Sequence, residues 1–134
     1  MSIGDKEDMA KLKFATCINC IDGRVQLPAI NFIKRRFRID YVDVITEPGP
    51  DKVLSENESI DIIESIKRRV LLSVERNSSK NIIIAGHYDC KANSVEKKVH
   101  YNQISEAVNK IKGWNLGVDV YGVWVGKDWK VVLL

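Results

Sequence analysis

The sequence predicts an α/β fold, a mainly parallel central sheet with helices on both faces. Three observations carry this expectation. Segments rich in β-branched residues alternate with segments whose apolar residues recur at helical spacing. One strand contains Ile82-Ile83-Ile84, a continuous apolar run of the kind a parallel strand needs when both its faces are buried. The residues able to do chemistry fall in loops directly after strands, where open α/β sheets gather their functional groups.

The elements follow in order. Lys11 to Asn19 alternates and then turns small and apolar, which predicts a first strand. Cys20-Ile21-Asp22-Gly23-Arg24 is a tight loop, and Pro28 near the start of the next segment suits a first helical turn. Lys34, Arg35, Arg36 and Arg38 place positive charge at the end of that helix, against the negative end of its dipole. Tyr41 to Ile45 predicts a second strand, stopped by Glu47-Pro48-Gly49-Pro50. Ser55 and Glu58 have capping-box spacing before a helix whose Ile63, Ile66, Val70 and Val74 share one face. Asn81 to Ala85 is the third strand, and Val95 to Lys112 a third helix with Ile104, Ala107, Val108 and Ile111 inward and Gly113 as its stop. Val118 to Val125 and Trp129 to Leu134 close the order as β-α-β-α-β-α-β-β.

The 134 residues suit one domain, 1–134, with one core. Hydrophobic residues at 45% exclude a disordered chain, and a net charge of +3 from 21 basic and 18 acidic side chains is too balanced to demand a polyanion. No nucleic-acid partner is expected, because the Lys34–Arg38 run reads as a solvated helix end. No apolar run spans a bilayer, and Met1 to Lys13 lacks a signal-peptide core, so neither membrane attachment nor export is expected. Three cysteines make a poor disulfide framework and are expected as reduced thiols in the cytoplasm.

Cys20, His87 and Cys90 form the candidate metal set. Thiolate and imidazole are the ligands zinc prefers, and three protein ligands leave a fourth position open, as at catalytic rather than structural sites. His87-x-x-Cys90 can close on one ion locally. Cys20 can join only if the first and third strands are neighbours. Each residue alone also reads as a small buried hydrophobe or a hydrogen-bonded histidine; their placement at matched strand ends favours the metal. Cys17-x-x-Cys20 has the spacing of a redox pair but lies in a strand, where the two side chains point opposite ways. His100 reads as an exposed helical residue able to exchange protons near neutral pH.

Cys20-x-Asp22-x-Arg24 followed by His87-x-x-Cys90 resembles the β-class carbonic anhydrases, and Val25, Gly86 and Asp89 match the surroundings of those motifs. The resemblance implies strand order 2-1-3-4 with an added antiparallel strand, and one zinc per chain on Cys20, His87 and Cys90. It further implies Asp22 with Arg24 as the catalytic dyad, and a homodimer or homotetramer. The implied activity is reversible hydration of CO2 to bicarbonate by zinc-bound hydroxide, with water or Asp22 as the fourth ligand. Gly49, Tyr88 and Asp89 are the substrate-pocket candidates.

The chain departs from the family around the pocket. Lys11 stands where the family has a glutamine, Thr46-Glu47-Pro48-Gly49-Pro50 replaces a donor-rich turn, and Lys91 replaces a glycine. Two alternatives stay open: hydrolysis of another small carbon substrate such as carbonyl sulfide or carbon disulfide, and a non-catalytic zinc-stabilised interaction domain.

Overall fold

The computed structural model describes residues 12–134. Its strands are β1 (Phe14–Asn19), β2 (Tyr41–Thr46), β3 (Asn81–His87), β4 (Asp119–Val125) and β5 (Val131–Leu133). Its helices are α1 (Gln26–Phe37), α2 (Pro50–Ser55), α3 (Ile60–Arg76) and α4 (Lys97–Lys112), with a 3-10 turn at Gly23–Val25. The sheet runs β2-β1-β3-β4-β5; β1 pairs in parallel with β2 and β3, β3 with β4, and only β5 is antiparallel. This is the expected order, and it makes β1 and β3 neighbours.

Period-two alternation explains why helices cover both faces. Ile18, Ile82 and Ile84 point to one side, where Ile63, Ile66 and Val70 of α3 and Ile104, Ala107 and Ile111 of α4 meet them. Ala15, Cys17 and Ile83 point to the other, against Ala29 and Ile33 of α1. A strand with apolar residues at consecutive positions therefore buries all of them. Cys17, in this second layer, is fully buried and faces away from Cys20.

Several boundaries differ from expectation, each for a local reason. Lys11 lies outside the described residues. Helix α1 stops at Phe37 because Arg38 turns left-handed (φ 55°) and its N–H caps the Lys34 carbonyl. Ser55 and Glu58 do not cap α3. Gly49 (φ 58°) and Pro50 at the first helical turn start the separate helix α2, and Ser55 ends it, its hydroxyl donating to the Lys52 carbonyl. Helix α4 begins at Lys97, since Glu96 is extended. Trp129 (φ 63°) belongs to the Gly126–Lys130 turn rather than to β5. His100 is not exposed: it is 2% accessible and paired with Asp51. Among the described residues no helix is long and apolar enough to cross a membrane.

Candidate metal centre

The parallel pairing of β1 with β3 ends both strands on the same side of the sheet. Cys20 is the first residue past β1, His87 the last of β3, and Cys90 closes the turn that follows. Their ligating atoms all lie within 4.8 Å of one another, and all three residues are buried.

Three observations test whether a metal fits. The Cys20 and Cys90 sulfurs are 4.0 Å apart. That is far beyond a disulfide and close to the roughly 3.8 Å separating two sulfurs on one tetrahedral zinc with bonds near 2.3 Å. His87 Nδ1 lies 2.8 Å from the Tyr88 carbonyl, which can only accept, so Nδ1 carries the proton. Nε2 is then left with its lone pair, the tautomer a metal requires. Finally, His87 Nε2 is the one buried side-chain nitrogen or oxygen without a hydrogen-bond partner among the described residues. A buried polar atom left unsatisfied in an otherwise satisfied interior calls for a ligand.

The charges agree. Hydrogen bonding from the Cys90 thiol, helped by the neighbouring His87 ring and the backbone N–H groups of Gly49 and Asp22, outweighs burial and pulls Cys20 down to about 3. Cys90 is pushed up by the Cys20 thiolate beside it and by burial. The two sulfurs thus share one proton. Burial opposes charge on His87, but the Cys20 sulfur and the Tyr88 carbonyl overcome it and raise the imidazole above its ordinary value. Cys17 has no such neighbours, and burial lifts it to about 12.

Asp22 and Arg24 are held beside this cluster by the loop's own hydrogen bonds. Asp22 Oδ1 accepts the Arg24 N–H at 2.9 Å, which tightens the chain into the 3-10 turn. The Arg24 guanidinium grips both carboxylate oxygens, with Nε 3.1 Å from Oδ1 and Nη2 2.7 Å from Oδ2. This charge-assisted pair holds Asp22 down to about 2. Arg24 also donates to the Asp89 carboxylate at 3.2 Å and carbonyl at 3.1 Å, and lies 4.8 Å over the Trp129 ring. Asp22 faces Arg24 and is not one of the clustered ligands.

The pocket candidates divide. Gly49 sits behind Cys20 and against residues 92 and 93; a Cβ there would approach Asn93 Cβ to 3.2 Å. Asp89, left-handed at φ 57°, is bound by Lys91 and Arg24, which hold its carboxyl below the usual range. Tyr88 and Asp89 both line an open cavity of about 1120 Å³.

Sequence reasoning missed the loop's braces. Asn19 accepts the Cys20 N–H at 2.9 Å, and Gln26 donates to the carbonyls of Cys20 (2.6 Å) and Asp22 (3.0 Å). No spacing rule distinguishes these amides from solvated ones. Gln103 is likewise committed, accepting from Asn93 at 2.7 Å.

Three comparisons bear on identity. Residues 10–134 match the model of a family described as "Putative carbonic anhydrase". A comparison with curated protein sequences finds no match. Among solved structures, the chain is similar to the β-carbonic anhydrase CafA of Aspergillus fumigatus, at 12% identity and a TM-score of 0.53, covering 92% of this chain and 75% of that one. It is also similar to a structure from a study of two tetrameric β-carbonic anhydrases from Sordaria macrospora, at 14% identity and a TM-score of 0.53, covering 96% and 85%. At such identities these likenesses speak for the fold. With the family model matched over all the described residues, the protein belongs to this carbonic anhydrase family and has the β-carbonic anhydrase fold.

Proposed function

We propose that this chain is a zinc-dependent carbonic anhydrase that hydrates CO2 reversibly to bicarbonate, with Cys20, His87 and Cys90 holding one zinc. The observation that carries the reading is the unpartnered, correctly tautomerised His87 Nε2 facing two sulfurs at tetrahedral-ligand separation. A zinc ion held by Cys20, His87 and Cys90 would supply an acidified water, its pKa lowered from about 15.7 toward neutrality, as the nucleophile.

The chain's own residues then position the reaction. Asp22 is beside the ligands and ionised, so it accepts a hydrogen bond from the attacking water and aims its lone pair at carbon. Arg24 keeps Asp22 off the metal by occupying both its oxygens. The Asp89 carboxylate and the Trp129 ring fix Arg24 in turn. Buried Val25 and Val125, packed with Cys20 and Cys90, keep the ligand side dry. In this reading Gly49, Tyr88 and Asp89 border the substrate, with Gly49 acting through its N–H on Cys20.

We place the enzyme in the cytoplasm, working as a single domain in a homodimer or homotetramer. Ile21 and Leu27, 64% and 68% exposed beside the site loop, support a second copy covering it.

Stopped-flow CO2 hydration with zinc-loaded protein tests the activity. Asp22→Ala is expected to retain zinc and lose at least about 10²-fold in rate. Hydration unaffected by that change, or no CO2 hydration alongside turnover of carbonyl sulfide or carbon disulfide read by sulfide release, overturns the assignment.

A further inference from the structure

CO2 and bicarbonate are small, and the cavity beside Cys90 is not. It has a volume of about 1120 Å³ and lies between the start of α4 and the strands β4 and β5. A space of this size suits an organic ligand. Its walls are aromatic and aliphatic, made by Tyr88, Val95, Tyr101, Trp124 and Val132. Charge does not select the occupant: Lys97, Lys127 and Lys130 are matched in the lining by Asp89, Glu96 and Asp128. An ion of either sign gains little from such a balance, so the lining favours a neutral ligand.

One buried polar group at this cavity has nothing to bond. His100 lines it and is 2% accessible. Its Nδ1 lies 2.6 Å from Asp51 Oδ2, and a carboxylate can only accept, so Nδ1 carries the proton. Asp51 is itself fixed, its Oδ1 accepting the Lys52 N–H at 3.0 Å and the Asn93 amide at 3.1 Å. The carboxylate fits because residue 86 is glycine; a Cβ there would stand 2.8 Å from Asp51 Oδ2. In the neutral ring Nε2 then keeps its lone pair. Among the described residues Nε2 of His100 has no hydrogen-bond partner, yet only Nε2 of His87 is both unpartnered and sealed from solvent. The His100 acceptor therefore opens onto the cavity. Beside it lies aromatic surface, with Trp124 5.1 Å from the imidazole and Tyr101 5.7 Å from Trp124, centroid to centroid.

We propose that this cavity binds a neutral, planar aromatic molecule carrying one N–H or O–H donor. The donor bonds His100 Nε2 and the ring packs along Trp124 and Tyr101. A buried acceptor, held in one tautomer by a buried carboxylate and left open on its other side, is completed by such a donor. The apolar walls supply the contact area, and the single acceptor fixes orientation. No bond is made or broken, and the site is independent of the carbonic anhydrase reading.

Indole is the probe, titrated at pH 8 into isotopically labelled protein as purified and followed by NMR. Benzofuran has the same shape without a donor, and N-methylindole has its donor blocked. Indole is expected to bind with a Kd of about 1 mM or tighter. Both comparators are expected to bind at least about tenfold more weakly. The chain has two histidines, and His100 is the ring with contacts to Trp124. It is expected to show Nδ1–H with Nε2 unprotonated, and its Nε2 resonance should move with indole while that of His87 stays. Equal affinities for the three compounds, Nε2–H in wild-type His100, or shifts confined to residues outside the cavity overturn the proposal. So does the absence of indole binding. Indole bound by a chain that does not hydrate CO2 overturns the carbonic anhydrase reading alone, and hydration without indole binding overturns this inference alone.

Discussion

Zinc binding should be steeply dependent on pH, because the metal-free site holds protons that the metal must displace. Cys20 is already a thiolate, drawn down to about 3 by the Cys90 thiol and its other donors. Cys90 keeps its proton, pushed up by that neighbouring thiolate. His87 is raised above its ordinary value, so on the acid side of neutrality it carries a proton on Nε2 as well. Each proton displaced changes the affinity about tenfold per pH unit. The sign follows: affinity falls as pH falls. The logarithm of the association constant should rise with pH at a slope of about 2 where His87 is charged, easing to about 1 above that range, where only the shared thiol proton is displaced. Competition against a chromophoric chelator, corrected for the chelator's own protons, measures the slope, and calorimetry in buffers of different ionisation enthalpy counts the protons released. Cys90→Ser should bind more weakly and with a smaller slope. A flat profile, or an unchanged slope in Cys90→Ser, would refute the account of the site's charges.

Two further outcomes follow from packing and sulfur chemistry. Gly86→Ala forces a methyl to within 2.8 Å of both Asp51 Oδ2 and Ile104 Cδ1, whereas a methyl on Gly23 meets nothing within 4 Å. Gly86→Ala should therefore cost about 1–3 kcal/mol, read as a lowered Tm, while Gly23→Ala stays within about 0.5 kcal/mol; equal effects would contradict the packing. In metal-free protein, peroxide should oxidise the Cys20–Cys90 pair to a disulfide, releasing water and leaving Cys17 as the only free thiol. Zinc should protect the pair, and thiol titration distinguishes the outcomes; equal loss with and without zinc would mean the metal is not on these sulfurs.

Much of this was legible in the sequence because it is locally encoded. The Ile82-Ile83-Ile84 run marks a doubly buried strand, and the candidate ligands sit at strand ends that parallel pairing brings together. What stayed hidden depends on distant partners or on a single dihedral. Pro48-Gly49-Pro50 reads as a stop, yet the left-handed Gly49 turns it into the start of α2. That turn buries Asp51, and nothing near Asp51 in sequence announces a histidine on another helix. A signal for His100 did exist: it shares the helical stripe of Ile104, Ala107 and Ile111, all buried. Its polarity argued for solvent; the carboxylate of Asp51 supplies the partner that lets it lie inside.

The central claim is that two thiolates and one imidazole of this chain hold a single zinc and leave one position for the reaction. X-ray absorption at the zinc edge tests it most directly. The predicted result is two sulfur neighbours near 2.3 Å with one imidazole nitrogen and one further light atom at about 2.0–2.1 Å, with one sulfur lost in Cys20→Ser. A shell without sulfur, or two sulfurs unaffected by Cys20→Ser, would contradict it.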